Sequence, residues 1–600
     1  MSQQLLCDLT LVRTADSLMQ QFNAANYKGA SVDIWLFEGR DKRLTMMAEL
    51  EQRGVHARVH SAYKPLVCFF LEQVQGRGLQ SAHIVYPRHT ACVENRFLLE
   101  AYPLPDLFPD ASITFAQATD AGSQTMYAVT LKFAQHTEEH QVFAPNVLKD
   151  DFLGQTVYTP SAWLRVTQHG QLSSQPIAAD YEQAYQAVIS AVAAYDWGRR
   201  EPYFDRLTIT LNLPGIEQKL AYGHETISTT EAMHEEIYFS LLEYFQHYSG
   251  REPGSRGLQP GQIIPDIRLD NQGPIQLKVA LVPAGSGARH VSGPLAMTVD
   301  QQSIQIAEPL LDQTQTALSP LAIAKALQSF KGLHFAFNSA QGRAVNGVYI
   351  QGARPAVVIS GAQHANETSG VVGALRAAQQ LSTQAGAHFA LLPLENPDGY
   401  ALQATLCATN PTHMQHAARY TALGDDLEYR EHAPWFEREA RNHAFTLSQA
   451  QLHLNLHGYP AHEWTRPCTG YLPRGFELWS IPKGFFLILR YKAVWRTRAL
   501  ALLQHITQDL ANNPELMAYN TQQMESYQRY GGTIPFQVLN GVPYTATEVA
   551  TQEPGITLVT EFPDETISGD EFVLAHSVQM QTVLAACSWW WDQAPFPGHG

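Results

Sequence analysis

Two segments of this chain carry residue types that converge on one kind of chemistry. The first is Ala356-Val357-Val358-Ile359-Ser360, an apolar run, followed by Gly361-Ala362-Gln363-His364-Ala365-Asn366-Glu367. An imidazole and a carboxylate three residues apart, just past a strand end, can turn toward one point. The second is Gln451-Leu452-His453-Leu454-Asn455-Leu456-His457-Gly458-Tyr459, a strand that ends on a histidine. Two histidines and one glutamate with a fourth position left open form a catalytic zinc arrangement. His-x-x-Glu alone is weak, since a chain with 24 histidines contains such pairs by chance. Order and context supply the strength.

Between the two segments lies Pro393-Leu394-Glu395-Asn396-Pro397-Asp398-Gly399-Tyr400, and after them Ile556-Thr557-Leu558-Val559-Thr560-Glu561-Phe562, an apolar strand ending in a carboxylate. This ordered set resembles the carboxypeptidase A-like zinc metallopeptidases, the funnelins, in the carboxyl-terminal half only, from about Pro309 onward. The resemblance implies one zinc per chain held by His364, Glu367 and His457, with Glu561 as general base. It implies that Asp398-Gly399 forms a structural turn near the metal. It also implies an oxyanion-stabilising role for Arg419, in Ala418-Arg419-Tyr420-Thr421-Ala422-Leu423-Gly424-Asp425-Asp426-Leu427, and a substrate-binding role for Tyr544.

The pattern then breaks. Where the family places an Asn-Arg clamp for the substrate's terminal carboxylate, this chain has Glu428-Tyr429, and an arginine arrives one place late, at Arg430. A guanidinium holds a carboxylate through a planar bidentate fork, whereas a glutamate at that place repels it. Either Arg430 reaches in through a bulge, or a free carboxyl terminus is not recognised. The second reading is favoured, and it predicts a poor conventional carboxypeptidase. The function expected is amide or peptide hydrolysis with atypical carboxylate recognition. The alternatives are an amidase or deacylase of acylated amino acids, a peptidase for cell-wall-type peptides, and a non-catalytic metal-binding module.

Other residues have plainer readings. His453 shares a strand face with His457 and competes for the metal, but the Gly-Tyr after His457 favours the latter. His224, His234, Glu235 and Glu236 read as a solvated helix face. His413, His416, His432, His443 and His462 read mostly as loop or surface residues, and Cys468 and Trp589-Trp590-Trp591 as packing.

The elements that must position these groups alternate. Strands are expected at 356–360, 389–394, 451–456 and 556–560, and helices at 321–330 and 368–381. That alternation implies an α/β fold, a carboxypeptidase-like mixed sheet flanked by helices, with sites at the carboxyl ends of strands. The 600 residues exceed one core. The expected units are 1–170 (α+β), 171–300 (a second α+β segment) and 305–600 (catalytic), with Gly/Pro-rich loops at 250–265 and 283–294. In the first unit, strands fall at 32–37, 83–86 and 126–133 and a helix at 44–53. The second holds a helix at 181–195, a strand at 206–213 and a helix at 233–248 with caps at 228–230. A net charge of -16, from 40 basic and 56 acidic residues, disfavours a nucleic-acid partner and suits a peptide or small acyl-amino-acid substrate. Six scattered cysteines and an amino terminus without a signal pattern fit a cytoplasmic protein with no membrane segment.

Overall fold

The structure, a computed structural model, describes residues 3–23, 25–119, 125–252, 254–285, 310–550 and 554–593. The expected boundary at 300–305 and most of the 283–294 loop lie outside them. In the amino-terminal half, Phe204–Leu213 alternates buried and part-exposed residues, as its sequence requires. It pairs in parallel with Gln262–Leu269 and antiparallel with Ile275–Pro283, which in turn pairs with Gln4–Leu11. The first strand of the chain thus shares a sheet with 204–283. Two more four-stranded sheets contain the expected strands as Ser31–Leu36, Ser81–Tyr86 and Met126–Lys132.

Helix α1, Thr229–Tyr248, starts at Ser228, whose Oγ accepts from the Glu231 N–H at 2.9 Å. It is buried on every side from Thr229 to Leu242, which corrects the expectation of a solvated face at 234–236. The carboxyl-terminal half roofs this helix and pairs with several of its carboxylates. Glu231 meets His462 Nε2 at 2.9 Å, and Glu235 meets His416 Nδ1 at 2.5 Å. Glu236 accepts from Thr469 Oγ1 at 2.8 Å. His413, His416 and His462 are therefore buried rather than surface residues. One apolar core joins both halves, packing Phe239 and Phe245 with Met414, Trp464 and Tyr527.

The carboxyl-terminal half is built on nine strands: β1 (Leu333–Asn338), β2 (Ala344–Ile350), β3 (Val357–Gly361), β4 (Phe389–Leu392), β5 (Leu452–Pro460), β6 (Phe486–Tyr491), β7 (Gln537–Leu539), β8 (Val542–Glu548) and β9 (Ile556–Glu565). Their order is β1-β2-β4-β3-β5-β9-β6-β8-β7. The central β4-β3-β5-β9 run is parallel, with antiparallel strands on both flanks. Helices α2 (Ser369–Leu381), α4 (Arg496–Leu510) and α5 (Asp570–Trp591) cover one face, and α3 (Glu437–Ser448) covers the other beside β1 to β4. Covering both faces explains the unbroken apolar run of β3: Val357 and Ile359 pack in one core and Val358 in the other.

Candidate metal centre

Strand register brings the site together. In the β5–β9 ladder His457 is the direct partner of Glu561, and β3 ends at Gly361, three residues before His364. The intervening turn carries Ala362 at φ 48°, an uncommon conformation for a residue with a Cβ. His364 Nδ1 lies 2.8 Å from Glu367 Oε1, and His457 Nδ1 lies 2.9 Å from Glu367 Oε2. The two Nδ1 atoms are 3.1 Å apart. All three residues are buried, and among the described residues they form the group of histidine and carboxylate ligands close enough to share one ion.

The donor set fits zinc. Bonds of about 2.0–2.1 Å at tetrahedral angles put neighbouring donors about 3.3 Å apart, close to the separations found here. Two neutral imidazoles and one carboxylate are also the ligand chemistry zinc takes in catalytic sites. The electrostatics are consistent with this. Burial opposes charge on His364, as does Arg419, but the Glu367 and Asp426 carboxylates raise its pKa. Burial dominates for His457 and lowers it. Despite burial, the cations around Glu367 hold its carboxyl well below the usual range.

An outer layer orients these groups. Asp426 Oδ2 stands 3.3 Å from His364 Nε2, the ring nitrogen facing away from the centre, which is how a carboxylate fixes a ligating imidazole. Gln363 Nε2 donates to Asp426 Oδ1 (2.9 Å), and Gln363 Oε1 accepts from Arg441 Nη2 (2.6 Å) and Asn455 Nδ2 (3.0 Å). Gly458 N–H donates to Glu367 Oε2 at 3.1 Å. A Cβ at Gly458 would come within 1.9 Å of Asp564 Oδ1, so this position requires glycine. Asp398 begins the Pro397–Cys407 helix and accepts from Ser339 Oγ (2.7 Å) and Arg343 Nη1 (2.8 Å), tying β4 to the β1–β2 hairpin.

The triad opens into a cavity of about 280 Å³ that is lined by His364, His457, Arg419, Glu428 and Glu561 among others. Arg419 Nη1 donates to Glu367 Oε1 at 2.7 Å, while its buried Nε has no partner among the described residues. Glu561 is held well above the usual carboxylate range by burial and by the nearby Glu367 charge.

Two sequence expectations, for Tyr544 and Glu428, are corrected, and of the two readings of Arg430 the disfavoured one, a bulge into the cavity, fails. Arg430 does not reach the cavity. It is buried against Asp425 (2.6 Å) and Glu437 (2.6 Å), so its fork is already filled. Tyr544 also lies away from the cavity, on β8, where its hydroxyl donates to Gln537 Oε1 at 2.5 Å. Glu428 lines the cavity, but Arg441 (2.7 Å) and Arg490 (3.6 Å) neutralise it, so the expected repulsion of a carboxylate is largely cancelled. His453 Nε2 pairs with Ser360 Oγ at 2.8 Å and takes no part in the triad.

Sequence reasoning missed several cavity residues. Phe239 and Arg256 come from the amino-terminal half, and Trp464, Phe476 and Trp479 from an irregular stretch after β5. Lys483, outside the cavity lining, is a further buried ionisable group that the sequence did not flag. Burial lowers it to about 7 against the pull of Glu561, and its Nζ donates to Leu478 O at 2.8 Å. No local spacing signals any of them. Among the described residues no helix is long and apolar enough to cross a membrane, and all six cysteines are unpaired.

Residues 329–459 match the family model for zinc carboxypeptidases. The carboxyl-terminal half therefore carries the resemblance that its motifs imply. No curated protein matches the chain. Among solved structures, a candidate metallopeptidase from Shewanella denitrificans OS217 is 16% identical over 44% of this chain and 87% of its own, with a TM-score of 0.28. A metallo-carboxypeptidase from Burkholderia cenocepacia is 13% identical over 46% and 70%, TM-score 0.29. A succinylglutamatedesuccinylase/aspartoacylase from Rhodobacter sphaeroides is 13% identical over 42% and 64%, TM-score 0.24. At such scores the fold stands on the sheet topology itself.

Proposed function

We propose that this chain, carrying a zinc carboxypeptidase segment at 329–459, is a zinc-dependent hydrolase of amide or peptide bonds with atypical carboxylate recognition. The observation that carries the reading is the placement of Glu561 beside His457 in strand register, with both facing one cavity. His364, Glu367 and His457 would hold the metal. When bound, zinc supplies Lewis-acid polarisation of the scissile carbonyl and a water of lowered pKa.

The chain's own residues do the rest. Glu561 accepts the proton of the attacking water on its carboxylate and returns it to the leaving amine. Burial and the Glu367 charge raise its pKa, which strengthens it as a base. Arg419, which lines the cavity, offers its guanidinium to the oxyanion as charge develops, a contribution often worth about 10²–10³ in rate. Phe239, Trp464 and Phe476 wall the cavity and exclude water from the reacting groups. The small cavity also favours a second reading on the same scaffold, a deacylase of acylated amino acids, because it suits a short substrate. A metal-binding module without turnover is disfavoured by the presence of both Glu561 and Arg419.

A hydrolysis screen of the zinc-loaded protein on short peptides and acyl-amino acids tests this. Glu561→Gln should keep zinc and fold yet lose nearly all turnover. Wild-type turnover in that variant would show that another group is the base.

A further inference from the structure

The cavity wall is not drawn from one half of the chain. The stretch 255–262, outside the carboxyl-terminal half, is fastened beside the metal centre by four hydrogen bonds. Asp426 N–H donates to Arg256 O (3.0 Å) and Gly261 N–H to Leu423 O (2.9 Å). Gln259 Nε2 donates to Asp425 Oδ2 (2.9 Å), and Gln341 Nε2 donates to Gln262 Oε1 (3.0 Å). Gly424, at φ 88°, lets the two backbones touch. A Cβ there would meet Gly261 O at 2.6 Å and Pro260 Cδ at 2.8 Å.

Three arginines line the cavity: Arg256, Arg419 and Arg490. Arg419 is held by Glu367 at 2.7 Å, and Arg490 stands 3.6 Å from Glu428. Arg256 differs. Like Arg490 it makes no hydrogen bond to its carboxylate neighbour, here Asp426 Oδ2 at 3.8 Å, but it alone of the three is stacked between aromatic rings of the cavity wall. That Oδ2 already faces His364 Nε2 at 3.3 Å, and Asp426 Oδ1 accepts from Gln363 Nε2 and the Glu428 N–H. The Arg256 guanidinium lies 5.6 Å from the Tyr429 ring centre and 5.8 Å from that of Phe476, a geometry that orients a planar fork by cation–π attraction. Its side chain is 36% exposed, so a ligand in the cavity can reach it.

We propose that Arg256 is a specificity-determining residue that receives a carboxylate of the substrate, supplied from outside the carboxyl-terminal half because no arginine of 426–430 faces the cavity. The inference rests on the hydrolase reading for the identity of the site. Tyr429, standing where the family pattern has its arginine, becomes the platform under this one. The carboxylate recognised is either a peptide's terminal group or an acidic side chain. Both offer the same planar pair of oxygens to the fork. Truncating an arginine that makes charged hydrogen bonds to a ligand weakens binding by about tenfold or more.

The test uses full-length, zinc-loaded protein carrying Glu561→Gln, so that binding is read without turnover. Titration calorimetry compares three acetylated dipeptides: a free acid, its amide, and an amide with a glutamate side chain. The first two report terminal recognition, and the third reports side-chain recognition. At least one acidic ligand should bind about tenfold tighter than the neutral amide. Adding Arg256→Ala should abolish that preference, and Arg256→Lys should restore only part of it. Zinc content and cooperative unfolding of both variants confirm that they fold. Equal binding of all three ligands by the parent, or a preference that survives Arg256→Ala, would overturn the inference. A preference lost in Arg256→Ala, in a protein whose Glu561 form hydrolyses nothing, would support it and sink the hydrolase reading instead.

Discussion

Arg441 ties the substrate side of the cavity to the metal side, and replacing it by methionine should damage both. Its guanidinium is buried on α3 and fully engaged. Nε donates to Glu395 Oε1 at 2.7 Å, Nη1 to Glu428 Oε2 at 2.7 Å and Nη2 to Gln363 Oε1 at 2.6 Å. Methionine fills much of the volume but leaves Glu395 without its ion pair. Glu428 keeps Arg490 at 3.6 Å, so the orphaned charge is chiefly Glu395, which is 2% exposed. Removing one partner of a buried pair costs about 3–5 kcal/mol. Gln363 also loses one of two donors, which loosens its bond to Asp426 and hence the orientation of His364. Such outer-layer losses cost about 10–100-fold in metal affinity, or about 1.4–2.8 kcal/mol. Urea denaturation of metal-free protein measures the first effect, and chelator competition for zinc the second. Adding Glu395→Gln should recover much of the stability, because it removes the uncompensated charge. If Arg441→Met unfolds within about 1 kcal/mol of the parent and binds zinc within about twofold, the network does not support the site.

Gly458→Ala should weaken zinc binding and destabilise the fold by about 1–3 kcal/mol through overpacking, since its Cβ would collide with Asp564 Oδ1; unfolding and zinc titrations of the variant check it. Asp564 is pushed up to about 7, first by burial and then by the Glu367 charge, from an ordinary value of 3.8. Between those values the folded state binds more protons than the unfolded. The stabilisation is therefore full below about pH 4 and lost as pH rises through about 7. Denaturation of metal-free protein across that range should show stability falling with pH, and Asp564→Asn should flatten the fall. An unchanged slope in the variant would contradict the assignment.

The sheet and the triad were legible in the sequence for a simple reason. Runs such as 356–360 and 556–560 are apolar on both faces because both faces are covered, and a strand that ends on a ligand projects it at the sheet's carboxyl edge. His457 and Glu561 sit on strands at that edge and His364 and Glu367 follow a strand end closely, while the roles expected of them came from the resemblance of the ordered motifs. Long-range partners left no such trace. Glu235 looked solvated because its own helix says nothing of His416, which lies far along the chain and fills its hydrogen bond. A displaced clamp at Arg430 stayed open as a reading because the carboxylates that hold it, Asp425 and Glu437, fold back from a turn and from the start of α3. The cavity contribution of Arg256 depends on how the amino-terminal half docks, which no local spacing encodes.

The central claim is that His364, Glu367 and His457 form one catalytic zinc site, and elemental analysis of purified protein tests it most directly. The parent should carry one zinc per chain, and alanine at any of the three positions should remove it. His453 cannot substitute, because its Nε2 is engaged with Ser360 within the sheet and it lies outside the converging group. Full zinc occupancy in His457→Ala would contradict the account.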